Sequence, residues 1–248
     1  MRSYLVLALL LLPLVFLEAQ ISVVSQSADE VVLEFNLPEY KIGRQNLNGV
    51  TWDRIETDAG NVHAVNGFPE LRVFGEAIAI PIDGDISLQV LNVKNSILKN
   101  VNLKPTLKMT VVNEEVEYHL VPDARAYRSA QLYPASIASS GESAFVGDRR
   151  FVPLQIFPFQ YRAATKELVV NSSFTIRVQI YGSKSSCPNW QQCENLIDQV
   201  GDSFFLNNAS SLGWRLPKKR DNSHESPKNG TQQVNAVQLV ANQEGIYK

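Results

Sequence analysis

The sequence predicts a mainly β protein, an antiparallel β-sandwich of jelly-roll type that closes with a short helix and a linker. Three observations predict it. Short runs of alternating apolar residues recur along the chain, and Asp-Gly, Pro and Asn punctuate them. No strand–helix–strand alternation of the parallel-sheet kind is present. The composition is that of an ordinary globular chain: 248 residues, 44% hydrophobic and 19% charged. Such a composition excludes a disordered chain, a collagen-like fibre and a long coiled coil. The 23 Lys+Arg nearly balance the 25 Asp+Glu, for a net charge of -2, so no global positive field attracts nucleic acid.

The first element is a targeting segment. Arg2 supplies a positive start, Tyr4 to Leu17 is an apolar run, and Ala19 offers a small residue ahead of Gln20. This is the layout of a secretory signal peptide over residues 1–19. The run is shorter than the roughly 20 residues of a spanning helix. Export with no stable membrane span after signal removal is therefore expected.

The β pattern occupies residues 20–182. Val31 to Phe35 is a β-branched and aromatic run that ends before Pro38. Val73 to Ile82 alternates through Ala77-Ile78-Ala79-Ile80, with Pro81 closing it. Ile86 to Val90 alternates cleanly and extends to Val93. Val116 to Val121, Phe151 to Ile156 and Phe174 to Ile180 complete the set. Residues 183–215 form a closing segment in which Leu196, Ile197, Val200 and Phe204 predict a short amphipathic helix over Glu194 to Phe204. Residues 216–235 are polar and basic with little to bury, which predicts an exposed linker. Val237 to Val240 then begins a new strand within residues 236–248, as expected of the front part of a longer precursor.

Chemistry-bearing residues are sparse. Cys187 and Cys193 are too far apart for a two-residue redox pair, and no second pair completes a zinc site. In an exported chain a local disulfide between them is expected. The histidines are His63, His119 and His224, expected on the surface or in loops, and none sits in a nucleophile signature. No catalytic constellation, metal site or cofactor site can be assembled, so residues 1–248 alone are not expected to be an enzyme. Asp83, Asp85, Asp123 and Asp148 read as turn residues rather than calcium ligands. Phe157, Phe159 and Tyr161 read as core aromatics, with a sugar-stacking surface as the rival. Arg149-Arg150 reads as a solvated strand start.

Several motifs occur in a distinctive order. Gly67-Phe68-Pro69-Glu70-Leu71 precedes Ile80-Pro81; Tyr133-Pro134 follows; then Arg150 to Tyr161, RFVPLQIFPFQY, and Thr165-Lys166-Glu167-Leu168. Phe205-Leu206-Asn207, Trp214-Arg215 and Glu244 to Lys248 come later. This order resembles the N-terminal propeptide of gingipain-like cysteine peptidases, of the caspase-like clan. Arg72 stands where that pattern usually has Pro, and Arg162-Ala163 where it has Asn-Pro.

The resemblance implies a zymogen whose front domain keeps a downstream cysteine endopeptidase latent, assists its folding and is then removed. It also implies that a propeptide loop enters the catalytic cleft with a basic side chain. The partner would be the chain's own downstream catalytic domain. The loop singled out here is Val121 to Arg128, which begins with a turn-forming Pro-Asp and presents Arg125 and Arg128; Arg149-Arg150 stands next. Removal is expected after Lys218, Lys219 or Arg220, three consecutive basic residues in the linker. Two other classes are compatible with the residues: a non-inhibitory front domain of a sortase-like surface-processing peptidase, and a carbohydrate-binding or adhesion sandwich.

Overall fold

A computed structural model describes residues 20–184 and 203–216. The signal segment, Cys187 and Cys193, most of the Glu194–Phe204 helix, and Lys218, Lys219 and Arg220 lie outside the described residues.

Two five-stranded sheets carry the fold, and every ladder in them is antiparallel. The first is built on β14 (Glu167–Tyr181). One edge of β14 pairs along its length with β7 (Asp85–Leu98). The other is shared by β13 (Phe159–Arg162) and β2 (Glu30–Asn36), and β1 (Ile21–Gln26) lies beyond β2. The second sheet is built on β12 (Arg149–Ile156) against β6 (Leu71–Ile80). Its β12 flank takes β10 (Ala138–Ser140) and β11 (Ala144–Val146), and β5 (Asn61–His63) pairs the start of β6.

Alternation in the sequence explains how the sheets meet. Val31, Leu33 and Phe35 of β2 and Phe174, Ile176, Val178 and Ile180 of β14 point one way. They meet Phe74, Ile78 and Ile80 of β6 and Val152, Leu154 and Ile156 of β12 in one buried cluster. Phe35 stacks on Phe174 at 4.8 Å and meets Phe74 edge-on at 5.2 Å. Each such side chain contributes about 1.5–3 kcal/mol of burial. The predicted sandwich is therefore present, and six predicted strands coincide with β2, β6, β7, β9, β12 and β14, where β9 is Glu115–His119.

A second cluster joins Ile55, Leu71, Val101, Leu103, Phe159, Tyr161, Leu168 and Val170. Phe157, Phe159 and Tyr161 are buried, so they are core residues and not a sugar-stacking surface. The Tyr161 hydroxyl donates to Val101 O at 2.7 Å. Ile55 reaches this cluster from β4 (Val50–Glu56), which forms a separate ribbon with β3 (Lys41–Leu47) around Asn48-Gly49. Both tip residues have positive φ, the geometry of a two-residue hairpin turn.

Two sequence expectations are corrected. Arg149 is only 2% exposed, not solvated. Its guanidinium lies 4.4 Å over the Phe205 ring and donates to Asn208 Oδ1 and Ser211 Oγ, because residues 203–216 fold back over it. His63 is not a loop residue: it is in β5, half-buried, against the rings of Phe157 (5.0 Å) and Tyr133 (5.9 Å).

Candidate functional site

One excursion leaves the sandwich, and hydrogen bonds at Gly67 and Phe68 define its base. The Gly67 N–H donates to Thr106 O, and the Thr106 N–H to Phe68 O. On the return, the Asp123 N–H donates to Gly67 O at 2.8 Å. Gly67 has φ +75°, and a Cβ there would lie 2.8 Å from Val121 O. The Gly-Phe-Pro-Glu-Leu motif is thus a staple that holds both ends of residues 106–123. Glu70 strengthens it: its carboxylate pairs with Lys104 at 2.7 Å and Arg54 at 3.4 Å.

Between these ends the chain makes a hairpin of β8 (Lys108–Val112) and β9, which ladders with neither five-stranded sheet. Asn113 and Glu114 turn it, at φ 50° and 67°. The register pairs Met109 with Tyr118 and Val111 with Val116, so one ribbon face is apolar. These four are 52%, 64%, 66% and 50% exposed, respectively. The opposite face carries Lys108, Thr110, Glu117 and His119. Leu107 and Val121 add exposed apolar area at the root. The sequence pattern marks the Val116 end of this ribbon but not its partner strand. The available signal was the alternation of Met109 and Val111 mirrored across Asn113-Glu114.

After the ribbon, Asp123 caps a single helical turn, α1 (Ala124–Tyr127). Its side chain accepts from the Arg125 N–H at 2.8 Å and from Arg125 Nη2 at 2.7 Å. These hydrogen bonds hold the Asp123 carboxyl well below the usual range, at about 2, and raise the Arg125 value. The Arg125 side chain is 81% exposed, with its guanidinium 5.9 Å from the Phe68 ring centroid. Arg128 is exposed at the end of the turn, and its N–H donates to Ala124 O. The turn is anchored beneath by buried Ala126 and by Tyr127, whose hydroxyl donates to Leu103 O at 2.7 Å.

The structure therefore brings Arg125 and Arg128 together with an exposed apolar ribbon on one stapled excursion. It removes Arg149 from candidacy, because that side chain is spent inside the domain. Arg150 is tied as well, donating to Ile82 O, Gly84 O and Ser143 Oγ. The long motif from Arg150 to Tyr161 has a structural role: Gln160 donates to Pro134 O, and Asn171 donates to Gln160 Oε1 and Pro158 O. Among the described residues no group of His, Cys, Asp and Glu is arranged to hold a metal. No helix among them is long and apolar enough to cross a membrane.

Comparison with known proteins places this architecture. The Propeptide_C25 family model matches residues 19–211. A stretch of 135 residues is 24% identical to gingipain R1 of Porphyromonas gingivalis, covering 54% of this chain and 13% of that protein. The chain thus spans about one eighth of the length of that curated relative. The fold matches a chain in the complex of Porphyromonas gingivalis RgpB pro- and mature domains, with TM-score 0.64 and 16% identity, covering 76% of this chain and 98% of that one. It also matches a structure bearing on the zymogenic latency of gingipain K from the same organism, with TM-score 0.56 and 17% identity, covering 66% of this chain and 93% of that one.

Proposed function

The chain belongs to the Propeptide_C25 family, and from that premise we propose that it holds a downstream cysteine endopeptidase latent, assists its folding, and is cut away to release it. The family match over residues 19–211 carries this reading. The partner in this reading is the chain's own downstream catalytic domain, and the likeness to a chain in the complex of RgpB pro- and mature domains supports it. Signal-directed secretion, a Cys187–Cys193 disulfide and processing after Lys218, Lys219 or Arg220 belong to the same proposal.

The excursion over residues 106–128 is the docking element. Its apolar ribbon loses little entropy on binding, because the staple at Gly67 already fixes both ends. Arg125 offers a cation whose present partner, Asp123, can be exchanged for a carboxylate in a specificity pocket.

The test is inhibition in trans. The chain, added to its own separately produced catalytic domain, is expected to block hydrolysis of a peptide substrate. Arg125→Ala or Arg128→Ala should weaken inhibition about 30-fold, or about 2 kcal/mol, the scale of one lost charge-assisted contact. Full hydrolysis at saturating chain would overturn the latency reading. Equal inhibition by both variants would move the basic contact away from α1.

A further inference from the structure

Among the described residues, β7 ladders with β14 on one side and with no strand on the other, so it is an edge of the first sheet. Which of its groups face outward follows from β14. The Ile180 N–H donates to Asp29 O, and the Leu37 N–H to Ser172 O, so the even-numbered main-chain groups of β14 face β2. The odd-numbered ones face β7. Thr175↔Leu91, Arg177↔Gln89 and Gln179↔Ser87 are then the hydrogen-bonded pairs of this ladder. The N–H and C=O groups of Ile86, Leu88 and Val90 therefore point away from the sheet. The Ile86 N–H is capped by Asp85 Oδ1 at 2.8 Å, and no described strand offers partners to the rest.

The side chains of these three residues are partly buried against the main core cluster, which runs out at this edge half-covered. Soluble domains usually blunt such an edge with Lys, Pro or a bulge. From Ile86 to Leu91 the residues are Ile-Ser-Leu-Gln-Val-Leu, with none of these devices. The bulge comes afterwards, at Asn92 (φ 54°), where the register steps from Leu91↔Thr175 to Lys94↔Ser173.

The partner that fits this edge is a second copy of it. Antiparallel pairing about a two-fold axis at Leu88 sets Leu88 against Leu88 of the second copy, and Ile86 against its Val90. Outward groups then bond outward groups, and apolar side chains meet apolar ones. On the other face Ser87 lies opposite Gln89, both exposed and neutral. The same axis runs the Asn92–Lys94 end of each copy past Asp83 and Asp85 of the other. Lys94, Asp83 and Asp85 are all exposed, so a basic end meets an acidic one. We propose that β7 is a self-pairing edge, through which two copies of the chain join antiparallel over Ile86 to Val90 into one continuous sheet. The pairing requires nothing of the propeptide reading.

Sedimentation equilibrium over a range of concentrations tests it, with hydrogen exchange locating the contact. The chain should dimerise with a Kd on the order of 10 µM, as an interface at the small end of stable ones gives. The Leu88 and Val90 amides should exchange about tenfold more slowly well above that concentration than well below it. The Gln89 amide, bonded to β14, should not change. Ser87→Lys with Gln89→Lys sets like charges opposite each other and should weaken dimerisation about tenfold. Ser87→Glu with Gln89→Lys sets opposite charges there and should restore it. If a variant does not fold, the exchange of the parent decides. A chain still monomeric at about 1 mM overturns the proposal. So does a dimer whose Leu88 and Val90 amides ignore concentration, because its contact lies elsewhere, as on the apolar β8–β9 face. Amides that are slow at every concentration overturn it too, since the edge is then covered within one chain. Folded charge variants that both dimerise like the parent refute the register, and the self-pairing with it.

Discussion

Gly67 illustrates how much a single residue decides. Its left-handed φ of +75° and its approach to Val121 O let residues 106 and 123 close on one point. Replacing it with alanine adds a strained backbone conformation and a contact at 2.8 Å. Gly67→Ala should therefore cost about 1–3 kcal/mol in urea unfolding. Its larger effect should be on the excursion, read as loss of exchange protection at the Asp123 and Thr106 amides. Asp123 works at the same scale: one carboxylate caps the turn and holds the arginine that follows. The Gly-Phe-Pro-Glu-Leu motif was visible in the sequence as a motif, but its job was not. The partners it bonds stand about 40 and 55 residues further along, and nothing local names them.

At the scale of elements, the β8–β9 ribbon departs most from the rules of a soluble domain. A two-stranded hairpin is marginal by itself, and this one turns four apolar side chains outward. Contiguous exposed apolar area of this kind marks an interaction surface. The prediction separates docking from stability. Val111→Lys and Tyr118→Lys should leave the unfolding free energy within about 0.5 kcal/mol of the parent, because neither side chain is packed. The same variants should weaken inhibition of the catalytic domain by about tenfold or more. A large loss of stability would mean that the face is packed within the domain instead. The strand content of this region was half legible. Val116 to Val121 suggested β9, whereas Met109 to Val112 was too short a run to stand out without its partner.

For the whole molecule, acid sensitivity reports the packing. Burial lowers the His63 value from 6.5, with the ring packed against Tyr133 and Phe157. The unfolded chain therefore binds this proton more tightly than the folded one. Stability is full above the unfolded value and is lost as pH falls through the folded value below it. Asp123, lowered chiefly by its hydrogen bond to Arg125, and Glu167, lowered chiefly by Thr165 and then Arg162, contribute in the same direction only below about pH 4. His63 thus lowers the melting temperature between pH 7 and pH 5, whereas Glu76, raised by burial, acts in the opposite direction; the melting temperature of His63→Phe relative to the parent should therefore rise as pH falls from 7 to 5, and a difference that does not change with pH would assign the slope to other groups. Legibility divides along the same line between local and distant causes. The sequence by itself determined the β class, six of the strands, the burial of Phe157, Phe159 and Tyr161, and the family, because alternation and motif order are local properties of the chain. Only the tertiary structure decided that Arg149 is buried, that Arg215 is buried beside Asp148, and that Arg125 shares a stapled excursion with an apolar ribbon. A charged side chain reads as solvated until a distant segment covers it, and the segment that covers Arg149 arrives more than fifty residues later.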